Sequence, residues 1–291
     1  MRITGNRMID VAATANAANQ AKVAKSAAEA SSGLRVTKPS DDPEAWAASQ
    51  RASMKQTLAG GSVAALEVGR DRLALTDHAL GGVGDALSSM RALALQGANA
   101  SYGATDRAQL GAQVRSLFAT AIASANTQTA DGEYILAGSL STSAPFSATG
   151  AYSGDSSVRD LPISDDSIVG SSIAGASLTA SAGVDVLPLF DRVARALETN
   201  DIAGLQSLLT DIETATKQVG LVRTQTGGTM NALDSALSAH ADLSTHLSTE
   251  VARAVEADIV TSASNLAKAT HALEASRAIT SHIVSVVDPT K

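Results

Sequence analysis

Aromatic residues are almost absent from this sequence, which has one tryptophan, three tyrosines and three phenylalanines among 291 residues. Aromatic rings usually supply much of the volume of a globular core. Here alanine, leucine and valine must fill the interior, and alanine combines a small side chain with the highest helix propensity, so alanine-rich helices can pack closely. We therefore expect a slender helical bundle rather than a thick α/β core.

Charge and composition exclude several classes of function. The net charge is −7 and the sequence pI is about 5.2, whereas a nucleic-acid partner requires a basic face. The chain has no cysteine, so disulfides and thiolate metal sites are excluded. No run of about 18 apolar residues predicts membrane insertion, and the first residues lack the apolar segment of a conventional signal peptide. Taken alone, these facts indicate a cytoplasmic protein.

The N-terminal region has a helical pattern that stops at a glycine. The stretch from Asn6 to Ser32 contains no proline or glycine and is dense in alanine. Apolar residues recur at spacings of four, three and four, which places them on one face of a helix. Gly33 then provides a helix stop. The residues of this stripe are Val23, Ala27, Ala30 and Leu34.

A second helix start follows within ten residues. Pro39 opposes continuation of the first helix, and Asp42-Pro43-Glu44 combines an N-cap acid, a proline at the first helical position and an acid in the first turn. Capping explains Asp41 and Asp42 better than metal binding, because adjacent acids point in different directions on regular structure. Two helices are predicted, over roughly residues 44–99 and 104–130.

Residues 131–185 differ from both flanking regions. They are rich in glycine, serine and threonine, and Arg159 is their one basic residue. Short apolar runs such as Tyr134-Ile135-Leu136 and Ser167-Ile168-Val169 lie between turn signals, as in β-hairpins. The pattern predicts a small β-rich insert.

Helical periodicity returns over about residues 186–287, with Gly227-Gly228 as the one predicted break. Towards the C-terminus two interleaved series repeat every seven residues, which keeps one stripe facing a partner helix. An ordinary amphipathic helix packed on its own domain remains an open alternative. The first series contains Ile259, Leu266, Leu273 and Val287 with Thr280, and the second contains Ala269 and Ile283 with Ser262 and Ser276.

These regions predict a mainly α fold, in which paired N- and C-terminal segments form a long antiparallel bundle or coiled coil that carries a small β-rich outer insert. We expect polymerisation helices in residues 1–42 and 251–291, a helical rod domain in residues 43–130 and 186–250, and the outer domain in residues 131–185. Rods with exposed apolar stripes tend to assemble.

No catalytic motif is present in the sequence. The sequence has no GxSxG elbow, no phosphate-binding loop and no HExxH motif, and none of its five histidines pair at i and i+4. We predict no catalytic, cofactor-binding or metal-binding residue, no cofactor, and no enzyme activity.

Three stretches together resemble the flagellin family of the bacterial flagellum, including its hook-associated members. The middle stretch is DGEYILAG at residues 131–138, and the C-terminal stretch is EADI at residues 256–259 followed by ALEAS at 272–276. The N-terminal stretch reads SSGLRV and then PSDDP. Its motif and cap residues are Ser32, Gly33, Leu34, Arg35, Pro39, Ser40, Asp41, Asp42 and Pro43.

The resemblance implies a role in assembly. In this family paired terminal helices form the inner layers of a tube by helical polymerisation, and the middle of the chain faces outwards. The implied partners are neighbouring copies, hook-associated protein 1, flagellin and a flagellar export chaperone. Export without a cleaved signal would place the chain in the extracellular flagellum, which replaces the cytoplasmic expectation.

Within this family the alternatives are a junction subunit between hook and filament and a filament-forming flagellin. The PSDDP and DGEYILAG segments favour the junction subunit. Two further alternatives are a ligand-binding or catalytic insert at residues 131–185, which has few titratable groups, and a coiled-coil signalling protein. The glycine-rich middle and the lack of an apolar span disfavour the latter.

Overall fold

The computed structural model describes residues 2–164 and 167–287, and the side chains of residues 7–163 and 167–285. The fold is mainly α, as predicted, with one two-stranded antiparallel sheet among the described residues. The helices are α1 (Arg2–Ser32), α2 (Pro43–Ala98), α3 (Ala104–Ala125), α4 (Val186–Glu198), α5 (Ile202–Val255) and α6 (Ile259–Val287). The strands are β1 (Asp160–Ser164) and β2 (Ser167–Gly170).

The chain forms two compact units. The terminal unit comprises Met1–Ala59 and Asp242–Lys291, and the central unit comprises Gly60–Ala241. Helices α2 and α5 each contribute residues to both units. At about 1.5 Å per residue, a helix of 56 residues such as α2 is about 84 Å long.

In the terminal unit α1 packs antiparallel against α6. The amide of Asn16 donates to the hydroxyl of Thr280 at 2.9 Å, and the amide of Asn19 contacts the carbonyl of Ala272 at 3.4 Å. Rising numbers on α1 thus meet falling numbers on α6. The least exposed side chains of both helices alternate at spacings of three and four, which is the seam of a coiled coil.

The central unit has a continuous core along one stripe of α2. Leu66, Leu73, Leu80 and Leu87, spaced by seven residues, are all fully buried, so α2 carries a regular heptad seam. The sequence reading missed this stripe. Few rings contribute to this core, chiefly Phe118 and Phe190, which stack at 6.0 Å. Small aliphatic side chains therefore fill the interior, as the composition predicted.

The predicted break at Gly227-Gly228 is wrong, because α5 continues through both glycines. A mid-helix glycine costs only about 1 kcal/mol relative to alanine. That cost is smaller than the free energy gained by burying flanking side chains such as Val222 and Leu233. The described part of this region instead breaks twice: between α4 and α5, where Asn200 adopts a positive φ of 57°, and between α5 and α6.

Two further boundaries differ from the sequence prediction. Helix α3 ends at Ala125 rather than near residue 130, because the amide of Asn126 caps it and the Asn126 side chain exchanges hydrogen bonds with the Phe146 backbone. The run Tyr134-Ile135-Leu136 forms a turn with one isolated bridge rather than a strand. Its apolar side chains are buried in the core, which explains the apolar run without a strand.

The insert over residues 131–185 is mostly turns, and its sheet is limited to β1 and β2. Ser167-Ile168-Val169 does form a strand, as predicted. The Asp155 carboxylate organises one turn by accepting hydrogen bonds from the hydroxyl of Ser139 and from the amides of Ser139 and Ser157. These bonds, the Ser139 hydroxyl first, lower the pKa of Asp155 to about 2.

Candidate assembly surface

The connections α1–α2 (residues 33–42) and α5–α6 (residues 256–258) lie side by side in the terminal unit, and together we call them the joint. The amide of Ala257 donates to the Gly33 carbonyl at 2.8 Å. The amides of Arg35 and Val36 both donate to the Val255 carbonyl, at 2.7 and 3.3 Å. The two helix connections are thus joined by backbone hydrogen bonds.

The Arg35 side chain adds two contacts at the joint. Its Nη1 lies 2.9 Å from Oδ2 of Asp42, and its Nη2 donates to the carbonyl of Ala254 at 3.0 Å. The other oxygen of Asp42 accepts the Ala45 amide at 3.0 Å, which is an N-cap of α2. One arginine therefore connects the start of α2 with the end of α5.

Both acids of the PSDDP motif have local structural partners. Asp41 accepts hydrogen bonds from the amide of Thr37 and from the amide of Lys38, and the Thr37 amide is the main cause of its lowered pKa. The pKa of Asp42 is lowered first by the Ala45 amide and then by Arg35. Asp42 thus caps α2, as the capping interpretation expects, whereas Asp41 stabilises the turn that precedes it.

The remaining motif residues shape the two turns of the joint. Ser32 donates to the Ala28 carbonyl at 2.7 Å and accepts the Leu34 amide at 3.2 Å. Gly33 has a φ of +71°, which favours glycine. Two other motif residues, Pro39 and Ser40, are exposed.

The structure brings most of the predicted stripe residues together across the α1–α6 seam. They are half-buried against the opposite helix of the same chain. Ile259 is instead 65% exposed, and the side chain of Val287 lies outside the described residues. The half-buried stripe residues are Val23, Ala27, Ala30, Leu266, Leu273 and Ile283.

The seam buries very little. Ala12 is the only buried residue between positions 7 and 32, and Ser262 is the only one between positions 259 and 285. Polar residues such as Asn16 and Thr280 occupy seam positions, and the side-chain oxygen Oδ1 of Asn16 is buried without a hydrogen-bond partner in the described part of the chain. The helix pair alone thus provides a thin interface.

An open apolar groove of about 660 Å³ runs along the pair towards the chain ends. Met8, Val11 and Ile279 line it and are 59%, 70% and 60% exposed. Sequence reasoning did not select these residues. The signal was available for α1, since Met8, Val11 and Ala15 recur at spacings of three and four.

The described residues offer no alternative chemistry at this surface. No group of three or more histidine, aspartate or glutamate side chains among them is placed to hold a metal ion. None of the described helices combines the length and apolar character needed to cross a membrane. The surface provides apolar contact area, with few titratable groups.

Comparison with known proteins shows similarity to proteins of the bacterial flagellum. The model of the bacterial flagellin N-terminal helical region matches residues 3–141. A Salmonella typhimurium protein named flagellar hook-associated protein 3 is 32% identical over 157 residues, which are 53% of this chain and 49% of that protein. The Escherichia coli protein of the same name is 28% identical over 243 residues, covering 79% of this chain and 74% of the other.

Residues 3–141 are thus similar to the N-terminal helical region of bacterial flagellins. The chain also shares its fold with a solved structure titled a putative flagellar hook-associated protein from Vibrio parahaemolyticus. The TM-score is 0.68 at 24% sequence identity, over 74% of this chain and 100% of the other. The match to Salmonella hook-associated protein 3 spans about half of that protein's length.

Proposed function

We propose that this chain is a member of the flagellin family and a structural subunit of the bacterial flagellum that joins the hook to the flagellin filament by helical polymerisation. The α1–α6 pair carries the proposal, because each helix has one buried residue among its described side chains while exposed apolar side chains line the adjoining groove. Isolated striped helices gain most of their stability from packing. Neighbouring copies that cover the groove would supply that packing.

The central and terminal units have different proposed roles. The core of the central unit holds fully buried leucines and the Phe118–Phe190 stack, so it can fold without a neighbour. Contacts between neighbouring copies would join different surfaces of each copy, and such contacts build a helical tube when they do not close on themselves. We propose that the terminal unit forms the inner layer and that residues 131–185 face outwards.

The proposed partners follow from the same role. They are neighbouring copies of the chain, hook-associated protein 1 on the hook side, flagellin on the filament side and a flagellar export chaperone before assembly. We place the mature chain in the extracellular flagellum, after export without a cleaved signal. Neither nucleic acid nor a membrane is among the proposed partners.

The proposed role is structural rather than catalytic. Two insert carboxylates have lowered pKa values, and both have structural causes. Glu133 owes its shift first to a hydrogen bond from Arg72, and Asp155 owes its shift to hydrogen bonds within its own turn. Neither needs a substrate to explain it.

Gene deletion in the parent bacterium tests the junction role. We expect complete hooks without filaments and flagellin released into the medium, and reintroduction of the gene should restore filaments. Intact filaments in the deletion strain would refute the proposal.

A filament-forming flagellin remains the alternative, because the matched N-terminal helical region is named for flagellins. Seeded assembly of the purified chain separates the two roles. A junction subunit should add a short layer to hook ends and stop, whereas a flagellin should elongate into long filaments.

A further inference from the structure

We propose that Arg35 is a positioning residue that fixes the point at which α1 and α6 leave the joint. The inference concerns the fold of one chain and goes beyond the proposed function. Arg35 contacts the last turn of α5 through the carbonyls of Ala254 and Val255, and it contacts the N-cap of α2 through Asp42.

The α5 end explains why these contacts matter. The last four carbonyls of an α-helix have no partner within the helix. Here the Ala254 and Val255 carbonyls accept hydrogen bonds from the guanidinium of Arg35 and from the amides of Arg35 and Val36. A cation at this position also complements the helix dipole. Arg35 therefore caps α5 from a segment that is distant in sequence.

The same contacts act on α1 and α6, which flank the joint. Gly33 ends α1, and its carbonyl accepts the amide of Ala257, which lies two residues before α6. Beyond this point the seam contains mainly small or polar residues, which specify the alignment of two helices less strongly than interlocking large side chains. The joint thus fixes the register in which α1 and α6 pair.

An isolated surface ion pair would not have this effect. The Arg35–Asp42 pair is 47% and 32% exposed, and such pairs contribute about 0–1 kcal/mol by themselves. The difference at Arg35 is that one side chain satisfies an orphan carbonyl and the capping carboxylate together. Loss of Arg35 should therefore uncouple α1 and α6 from α2 and α5 and leave the central unit folded.

Engineered disulfides provide the test, because the chain has no native cysteine. A parent variant carries Asn19→Cys and Ala272→Cys, which replace two residues in contact across the seam. We compare its disulfide formation with that of the same protein carrying Arg35→Gln, Arg35→Lys or Arg51→Gln. Arg51 is the matched control, an exposed arginine whose described contact is with Ala47 of its own helix.

We expect Arg35→Gln to slow disulfide formation about five- to tenfold, in line with the loss of charge-assisted hydrogen bonds at a partly exposed site. Arg35→Lys should recover part of the rate, because an ammonium cannot form both contacts in the planar geometry of arginine. Arg51→Gln should match the parent. Disulfide formation at the parent rate in Arg35→Gln would overturn the proposal.

A second pair tests alignment, with Asn19→Cys combined with Ile279→Cys, one seven-residue repeat away from Ala272. Its disulfide should become more frequent with Arg35→Gln. A third variant, Asp42→Asn, retains an N-cap residue but removes the charge that Arg35 contacts, and it should slow the first disulfide less than Arg35→Gln. Unchanged rates in both Arg35→Gln and Asp42→Asn would contradict the role of Arg35, whatever the deletion strain shows.

Discussion

The amide of Ala257 donates a 2.8 Å hydrogen bond to the carbonyl of Gly33, and this bond joins the end of α1 to the turn before α6. Gly33 makes the bond with a φ of +71°. A Cβ added at Gly33 would meet no atom within 4 Å. The requirement for glycine is therefore one of backbone conformation alone.

Gly33→Ala should destabilise the terminal unit by about 1–2 kcal/mol, which is the cost of a left-handed conformation for a residue with a Cβ. Denaturant unfolding followed by the fluorescence of Trp46, the only tryptophan, measures the change near the joint. Gly60→Ala is the control, since Gly60 also has open space but lies inside α2. The control should be neutral or stabilising, and equal effects of the two substitutions would contradict the explanation.

Gly227→Ala and Gly228→Ala should each stabilise the central unit by about 0.5–1 kcal/mol, because both glycines are helical and a Cβ would meet nothing within 4 Å. Chemical denaturation followed by far-UV circular dichroism measures the gain. Gly97→Ala is the contrasting control, because its Cβ would collide with Leu197 of α4. Destabilisation by the first two substitutions would imply a functional bend in α5.

The start of α2 could be read from the sequence because its signals are local. Asp42 and Pro43 specify a cap and a first turn within a few residues, and the structure begins α2 at Pro43 with the Asp42 carboxylate on the Ala45 amide. The seven-residue spacing of Leu266 and Leu273 likewise depends only on positions along one helix.

The errors came from features that tertiary packing decides. Gly227-Gly228 looked like a break because glycine disfavours helix, but the burial of neighbouring side chains such as Leu233 outweighs that preference. The contact of Arg35 with Ala254 joins segments that are far apart in sequence, and no local pattern predicts it. Val11 in the groove was not predicted, because the sequence pattern selected the stripe that contains Val23, and that stripe lies on the seam rather than in the groove.

Glu133→Gln should destabilise the central unit at neutral pH by about 1–2 kcal/mol. Arg72 is only 8% exposed and loses its anionic partner, while the glutamine oxygen can still accept a hydrogen bond. Equilibrium unfolding at pH 7 measures the loss. Glu67→Gln, which changes an exposed glutamate on the same helix as Arg72, should have little effect.

The same variant should alter the pH dependence of stability. The hydrogen bond from Arg72, followed by the charge of Arg159, lowers the pKa of Glu133 below its ordinary value of 4.5. The unfolded state then binds the proton first, so this contribution is present above pH 4.5 and is lost as the pH falls through the lowered pKa. The difference in the free energy of unfolding between Glu133→Gln and the parent should shrink as the pH falls from roughly 5 to roughly 3. A difference that stays constant over this range would contradict the assignment.

Hydrogen exchange on the free monomer should show fast-exchanging amides at the two ends, roughly residues 1–40 and 255–291, and slow exchange in the core of the central unit. The physical reason is the thin seam, in which α1 and α6 have one buried residue each among their described side chains. Strong protection along both end segments would count against assembly-dependent ordering. Within α1, exchange should slow towards Gly33, where the joint adds hydrogen bonds.

Val11→Ser and Ile279→Ser should weaken assembly while leaving the monomer almost unchanged. Both side chains are exposed in the single chain, so monomer stability should change by no more than about 0.5 kcal/mol. If neighbouring copies cover the groove, each substitution removes about 1.5–3 kcal/mol of apolar burial at the interface. The concentration required for half-maximal co-sedimentation with purified hooks that carry hook-associated protein 1 should then rise by about 10- to 100-fold.

Val68→Ser is the matched control, because Val68 is 70% exposed, like Val11, but belongs to the central unit. It should co-sediment at the parent concentration. An equal loss in all three variants would mean that general surface polarity, rather than the groove, controls binding. No loss in Val11→Ser or Ile279→Ser would mean that the groove stays uncovered in the assembly, and the polymerisation surface would then have to lie elsewhere on the chain.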